Sequence, residues 1–119
     1  MKVKYYKLTL QPCNAMLKVY FDRDILRQHC LKEKEWKLAS ELDHCDALFI
    51  DYGCFDYAMY LPEEYVEQFV WHEALHCTTQ MWYDAGGNIH SCENDEVLTY
   101  TQGYIVGMIK ELYKLREEL

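Results

Sequence analysis

Between Pro62 and the pair Gly86-Gly87 the chain carries neither proline nor glycine, and this uninterrupted stretch constrains the fold more than any other. Proline suits the first turn of a helix, where its missing N–H is not needed, and Glu63 and Glu64 complement the positive end of the helix dipole. Glycine supplies the left-handed residue on which helices commonly end. The spacing therefore predicts one helix from Pro62 to about Asp84. On its wheel Val66, Val70, Ala74, Cys77 and Met81 form an apolar side, while Trp71, Leu75 and Trp82 form a separate cluster. A helix apolar on so many sides is expected in the middle of a domain.

The third side holds the chemistry. The segment "FVWHEALHC", residues 69 to 77, places His72, Glu73 and His76 in the order H-E-x-x-H, flanked on the wheel by Tyr65, Phe69, Thr79, Gln80 and Tyr83. Residues four apart on a helix project about 40° from one another, so both imidazoles can meet one metal ion from a single rigid element. Glu73 is rotated by about 100° from His72, beside the pair rather than in line with it. A pair of core histidines hydrogen-bonded to their neighbours is the alternative.

A zinc site needs further donors, and a catalytic one keeps a position open. Glu96 stands twenty positions after His76, near the start of a last helix that Asn94 is placed to cap and that continues to Leu115. Its face also carries Tyr100, Gly103 and Gly107, with Tyr104 at the margin. Glycines inside a helix cost roughly 1 kcal/mol each relative to alanine, and a close approach of the two helices would explain them. Asp95, His90 and Cys92 are alternative third donors, and Cys92 or Cys77 would suit a closed structural zinc site.

The rest of the chain supplies strands and a shorter helix. Val3 to Leu10 and Ala15 to Phe21 have strand character around the turn formers Gln11 to Asn14, and so predict a hairpin. From Asp22, a plausible N-cap, Ile25, Leu26, His29 and Cys30 follow a helical stripe. Residues 36 to 43 fit helix or strand equally. Ala47 to Ile50 and Tyr57 to Leu61 read as strands on either side of a turn at Asp51 to Asp56. The fold class is α+β: a small, mainly antiparallel sheet packed on the H-E-x-x-H helix and a second long C-terminal helix.

With 119 residues, half of them apolar, one domain covering 1–119 is expected. A net charge of −8 argues against electrostatic binding to nucleic acid or to an anionic membrane. Six dispersed cysteines without a C-x-x-C, and an N-terminus that alternates like a strand, favour buried thiols and a cytoplasmic setting.

On "HEALH" and on Glu96 in "NDEVLTY" the sequence resembles the gluzincins, the thermolysin-type arm of the zincin metallopeptidases. The twenty-residue gap is that family's spacing, and short phage-encoded H-E-x-x-H proteins are similar as well. The resemblance covers roughly residues 46 to 110. It implies a zincin-like core, one zinc ion per chain held by His72, His76 and Glu96, and Glu73 as general base for hydrolysis of a peptide or protein substrate. It also implies that the strand Tyr57, Ala58, Met59, Tyr60, Leu61 is the edge on which an extended peptide pairs. A phage protein of this kind would act in the host cytoplasm. Where thermolysin-type enzymes carry Asn before the third-ligand Glu and Asp four positions after it, this chain has Asp95 and Tyr100. The transition-state histidine of that family has no counterpart here, and Tyr100, Tyr83 or Tyr104 would take its role. Two other functions fit the same residues: a weakly active or inactive binding protein with a structural metal, engaging a host factor, or a deformylase-like amidase using Cys54 upstream.

Overall fold

The computed structural model describes residues 3–86 and 92–118. The hairpin forms as expected, from β1 (Tyr6–Leu10) and β2 (Ala15–Tyr20), paired antiparallel from Tyr6↔Val19 to Leu10↔Ala15. Asp22 caps α1 (Arg23–Lys32), its carboxylate oxygen accepting from the N–H groups of Asp24 and Ile25. The ambiguous segment becomes α2 (Trp36–Leu42), which buries Ala39 and Leu42. Strands β3 (Leu48–Asp51) and β4 (Asp56–Tyr60) pair antiparallel across a turn in which Gly53, Cys54 and Phe55 all take positive φ. Helices α3 (Glu67–Asp84) and α4 (Cys92–Glu118) complete the chain. The fold is α+β, with four helices and one mixed sheet.

The strand order is β1-β2-β4-β3, with β2 and β4 parallel. Alternation along β2 and β4 sends their residues to two cores on opposite faces of the sheet. Leu17, Val19, Tyr57 and Met59 meet α3 and α4 through Val70, Ala74, Cys77, Met81, Ile105 and Ile109. Tyr20, Ala58 and Tyr60 join Ile50 of β3 against Leu26, Cys30, Ala39 and Leu42 of the other two helices. Burying Tyr57 to Leu61 almost completely makes β4 a central strand. The expectation that Tyr57, Ala58, Met59, Tyr60 and Leu61 form a free edge is therefore corrected: β2 and β3 occupy both hydrogen-bonding sides, and the edge beside β4 is β3.

Three further expectations change. Helix α3 begins at Glu67 rather than at Pro62. The Pro62 and Glu63 carbonyls accept instead from the Tyr113 hydroxyl at 2.8 Å and the Arg116 guanidinium at 3.1 Å, side chains of α4. The first turn is built on the Val66 carbonyl, which accepts from the Phe69 and Val70 N–H groups. At the other end Gly86 takes a φ of 81°, the expected stop, whereas Gly87 lies outside the described residues. Asn94 falls within α4 rather than before it.

Nor is α3 enclosed. Val70, Glu73, Ala74, Cys77, Thr78 and Met81 are buried, while Trp71, His72, Leu75, His76 and Tyr83 are exposed. Among the described cysteines Cys30 and Cys77 are buried, Cys13 and Cys45 half-buried and Cys54 exposed, all as free thiols. No described helix is long and apolar enough to cross a membrane.

Candidate metal site

The core stripe of α3 determines where its histidines go. With Val70, Ala74, Cys77 and Met81 held against the sheet, His72 and His76 are turned to the opposite, exposed face. The alternative of a buried, internally satisfied histidine pair is thereby removed. The two rings meet edge to face with centroids 4.8 Å apart, and their Nε2 atoms converge to 3.2 Å. Two nitrogens bound to one tetrahedral zinc at the usual bond length stand about 3.3 Å apart. The pair therefore already has the separation a metal requires.

Glu73 lies between this face and the core, only 5% exposed. Its carboxylate oxygen is 3.9 Å from His72 Nε2, and the donor atoms of His72, Glu73 and His76 all lie within 4.8 Å of one another. Burial raises its pKa above the ordinary carboxylate range, against the opposing influence of His72, His76 and a backbone hydrogen bond from Phe49. The donor set of two imidazoles and a carboxylate is one that zinc accepts. At 3.9 Å the carboxylate stands farther from His72 than the two imidazole nitrogens stand from each other. The Phe49 contact also ties Glu73 to β3, the edge strand. A main-chain group carries no residue signature, so nothing in the sequence singled out Phe49.

Helix α4 is anchored beside α3 by polar bonds. Trp82 Nε1 donates to Thr101 Oγ1 at 3.1 Å, and Gln102 Nε2 donates to the Trp71 carbonyl at 3.0 Å. Lys110 pairs with Glu67 at 3.4 Å. The expected role of the glycines in this approach is not seen: a Cβ on Gly103 or Gly107 would meet nothing within 4 Å. Both lie on an exposed strip of α4 with Glu96 and Tyr100. Glu96 does not belong to the converging group of His72, Glu73 and His76. Neither does Cys54, which is exposed on the β3–β4 turn. His90 and the side chains of Cys92 and Asp95 lie outside the described residues.

The three candidate tyrosines are divided between two helices, Tyr83 on α3 and Tyr100 and Tyr104 one turn apart on α4. Tyr83 extends the histidine face of α3 and is 67% exposed, and Tyr100 is 73% exposed on α4. Tyr104 points toward the hairpin, where its hydroxyl oxygen accepts from the Gln11 N–H at 3.3 Å. Of the three it is the one held by a contact away from α3.

Comparison with known proteins adds no relative: no family model matches the chain, and neither the curated proteins nor the solved structures contain a significant match.

Proposed function

We propose that this chain is a minimal zinc-dependent hydrolase acting on peptide bonds, built on a zincin-like arrangement. The observation that carries the reading is the position of Glu73, buried beside two exposed imidazoles whose nitrogens already converge. His72 and His76 would hold the ion, and Glu96, which lies outside their converging group, is proposed to reach it from the neighbouring helix as a third protein ligand. When bound, zinc supplies Lewis acidity toward water and toward a carbonyl oxygen. Glu73 accepts the proton of an attacking water. Its raised pKa makes it a stronger base than an ordinary surface carboxylate. The Phe49 main chain, on β3, lies beside it and favours its charged form.

Strand β3, the edge strand among the described residues, is proposed to take the substrate role expected of Tyr57 to Leu61. An extended peptide pairing there lies next to Phe49, and so next to Glu73. Of the tyrosines, Tyr83 and Tyr100 have exposed hydroxyls on the α3 and α4 surfaces and are the ones proposed to stabilise developing negative charge.

Metal analysis of the purified protein, combined with cleavage of a fluorogenic peptide library, tests this reading. The wild type is expected to hold close to one zinc per chain and to cleave. Glu73→Gln should keep the zinc and lose cleavage, whereas Glu96→Ala should lose the zinc. Zinc retention with equal cleavage in Glu73→Gln would overturn the mechanism. A zinc-replete wild type that cleaves nothing would turn the reading toward a binding protein with a structural metal.

A further inference from the structure

Charge is unevenly distributed along this chain. Residues 1–37 hold nine of the twelve lysines and arginines but only four of the twenty acids, a balance of +5 against −13 in the remainder. Some of that charge is locally engaged. Arg27 pairs with Asp43 at 3.1 Å, and Arg23 donates to the Cys45 carbonyl and lies over the Tyr60 ring. Lys110 and Lys114, on α4, pair with Glu67 and Glu111. Lys4, Lys18 and Lys32 make no ion pair among the described residues.

These three unpaired lysines surround one hollow of about 480 Å³ between the hairpin and α1. Its position follows from the fold. Leu17 and Val19 of β2 point toward α3 and α4, so Lys18 and Tyr20 face the other side of the sheet. Gln28, His29 and Lys32 share one face of α1 with Ile25, at helical spacing, and Lys4 and Tyr5 close the remaining side. Among the described residues no acid lines the hollow. An adjacent hollow shares Lys18 and His29 but is bounded by Glu33, Glu35 and Asp56, which places the acids beyond this one.

Basic residues in the last turn of a helix complement its dipole, and that accounts for His29 and Lys32. It does not account for Lys4 and Lys18, which arrive from the sheet. Lys18 is held inward, its ammonium 5.6 Å from the centroid of the Tyr5 ring. The nearest acids, Glu33, Glu35 and Asp56, border the adjoining hollow and offset part of this charge, and an anionic ligand would relieve the repulsion that remains. The volume falls within the roughly 300–1,000 Å³ typical of small-molecule sites. Lysine ammonium groups serve as point-charge binders of phosphate, and the Gln28 amide and Tyr5 hydroxyl add neutral donors. The cations enclose a hollow rather than following a surface track, which suits a small molecule and not a nucleic-acid strand.

The geometry points to a second ligand site in this hollow, for a small, multiply charged phosphate-bearing molecule. It lies across the sheet from the histidine pair and does not depend on the hydrolytic reading.

Titration of the intact protein with inorganic pyrophosphate and with AMP, followed through backbone amide shifts, tests the site. Saturable binding of at least one probe is expected, with the largest shifts at Lys18, His29 and Lys32. Affinity should fall by about tenfold or more in the K18Q/K32Q double variant, with the zinc content unchanged. Tighter binding of AMP would support the site as one for a nucleoside phosphate, and tighter binding of pyrophosphate as one for the bare anion. If the double variant does not fold, K4Q, which alters a residue ahead of β1, should show the same direction of change. Absence of saturable binding by both probes, undiminished affinity in a folded variant, or shifts confined to another surface would overturn the proposal.

Discussion

The Nε2 atoms of His72 and His76 stand 3.2 Å apart on the exposed face of α3, while Glu73, one residue along, is buried beneath them. This division lets one turn of helix offer two ligands to solvent and keep a base against the core. At that distance one ring donates a hydrogen bond to the other.

Metal binding should therefore stabilise the fold. An ion that binds only the native state contributes about 2.7 kcal/mol when present at a hundred times its dissociation constant. Thermal unfolding with added zinc is expected to give a higher Tm than unfolding with chelator. His76→Ala should abolish that difference. An equal zinc-induced rise in the variant would place the ion elsewhere.

The glycines of α4 give a second prediction of increased stability. Among the described residues nothing lies within 4 Å of where a Cβ would be placed on Gly103 or Gly107, and both lie within a helix. Gly103→Ala and Gly107→Ala should each raise stability by about 0.5–1 kcal/mol, measured by urea denaturation. A loss of stability in either variant would show that the backbone is closely approached there after all.

Tyr57 is fully buried, and its hydroxyl donates to Asp84 Oδ2 at 2.6 Å, tying β4 to the end of α3. Tyr57→Phe removes that donor and leaves Asp84 with Gln80, which bonds its other oxygen at 2.9 Å. A cost of about 1–2 kcal/mol is expected, read from the denaturation midpoint. An unchanged midpoint would show that the bond is offset by the burial of its own polar groups.

Stability should also fall in alkali. Burial pushes Cys77 up from 9.0 to about 12, and burial first, with nearby Tyr5 next, pushes Tyr20 up from 10.0 to about 12. Tyr57 and Tyr113 are raised further, chiefly by burial, with the Asp84 bond adding to the effect at Tyr57. The unfolded chain loses these protons first, so the folded state binds more protons from about pH 9 upward. The stabilisation is complete below the unfolded values and is lost as pH rises toward the folded ones. Denaturation midpoints at pH 7 and pH 11 should differ by a few kcal/mol in favour of neutral pH.

Much of this was legible in the residues themselves. Asp22 announced its helix because an N-cap acts on N–H groups two and three residues away. His72, Glu73 and His76 could be placed together because helical geometry alone brings positions i and i+4 to one face. The hairpin and the Gly86 stop were likewise local. The true start of α3 was not, because side chains of Tyr113 and Arg116, some fifty positions downstream, claim the Pro62 and Glu63 carbonyls.

The sequence by itself determined which side chains share a helix face or a strand face, since those periods are set within a few residues. Only the tertiary structure decided that β4 is central and β3 the edge, that the histidine face is open to solvent, and that Glu73 is tied to Phe49. It alone gathered Lys4, Lys18 and Lys32 around one hollow. These are long-range pairings made largely through main-chain hydrogen bonds and burial, and such contacts carry no local residue signature that could have been read in advance.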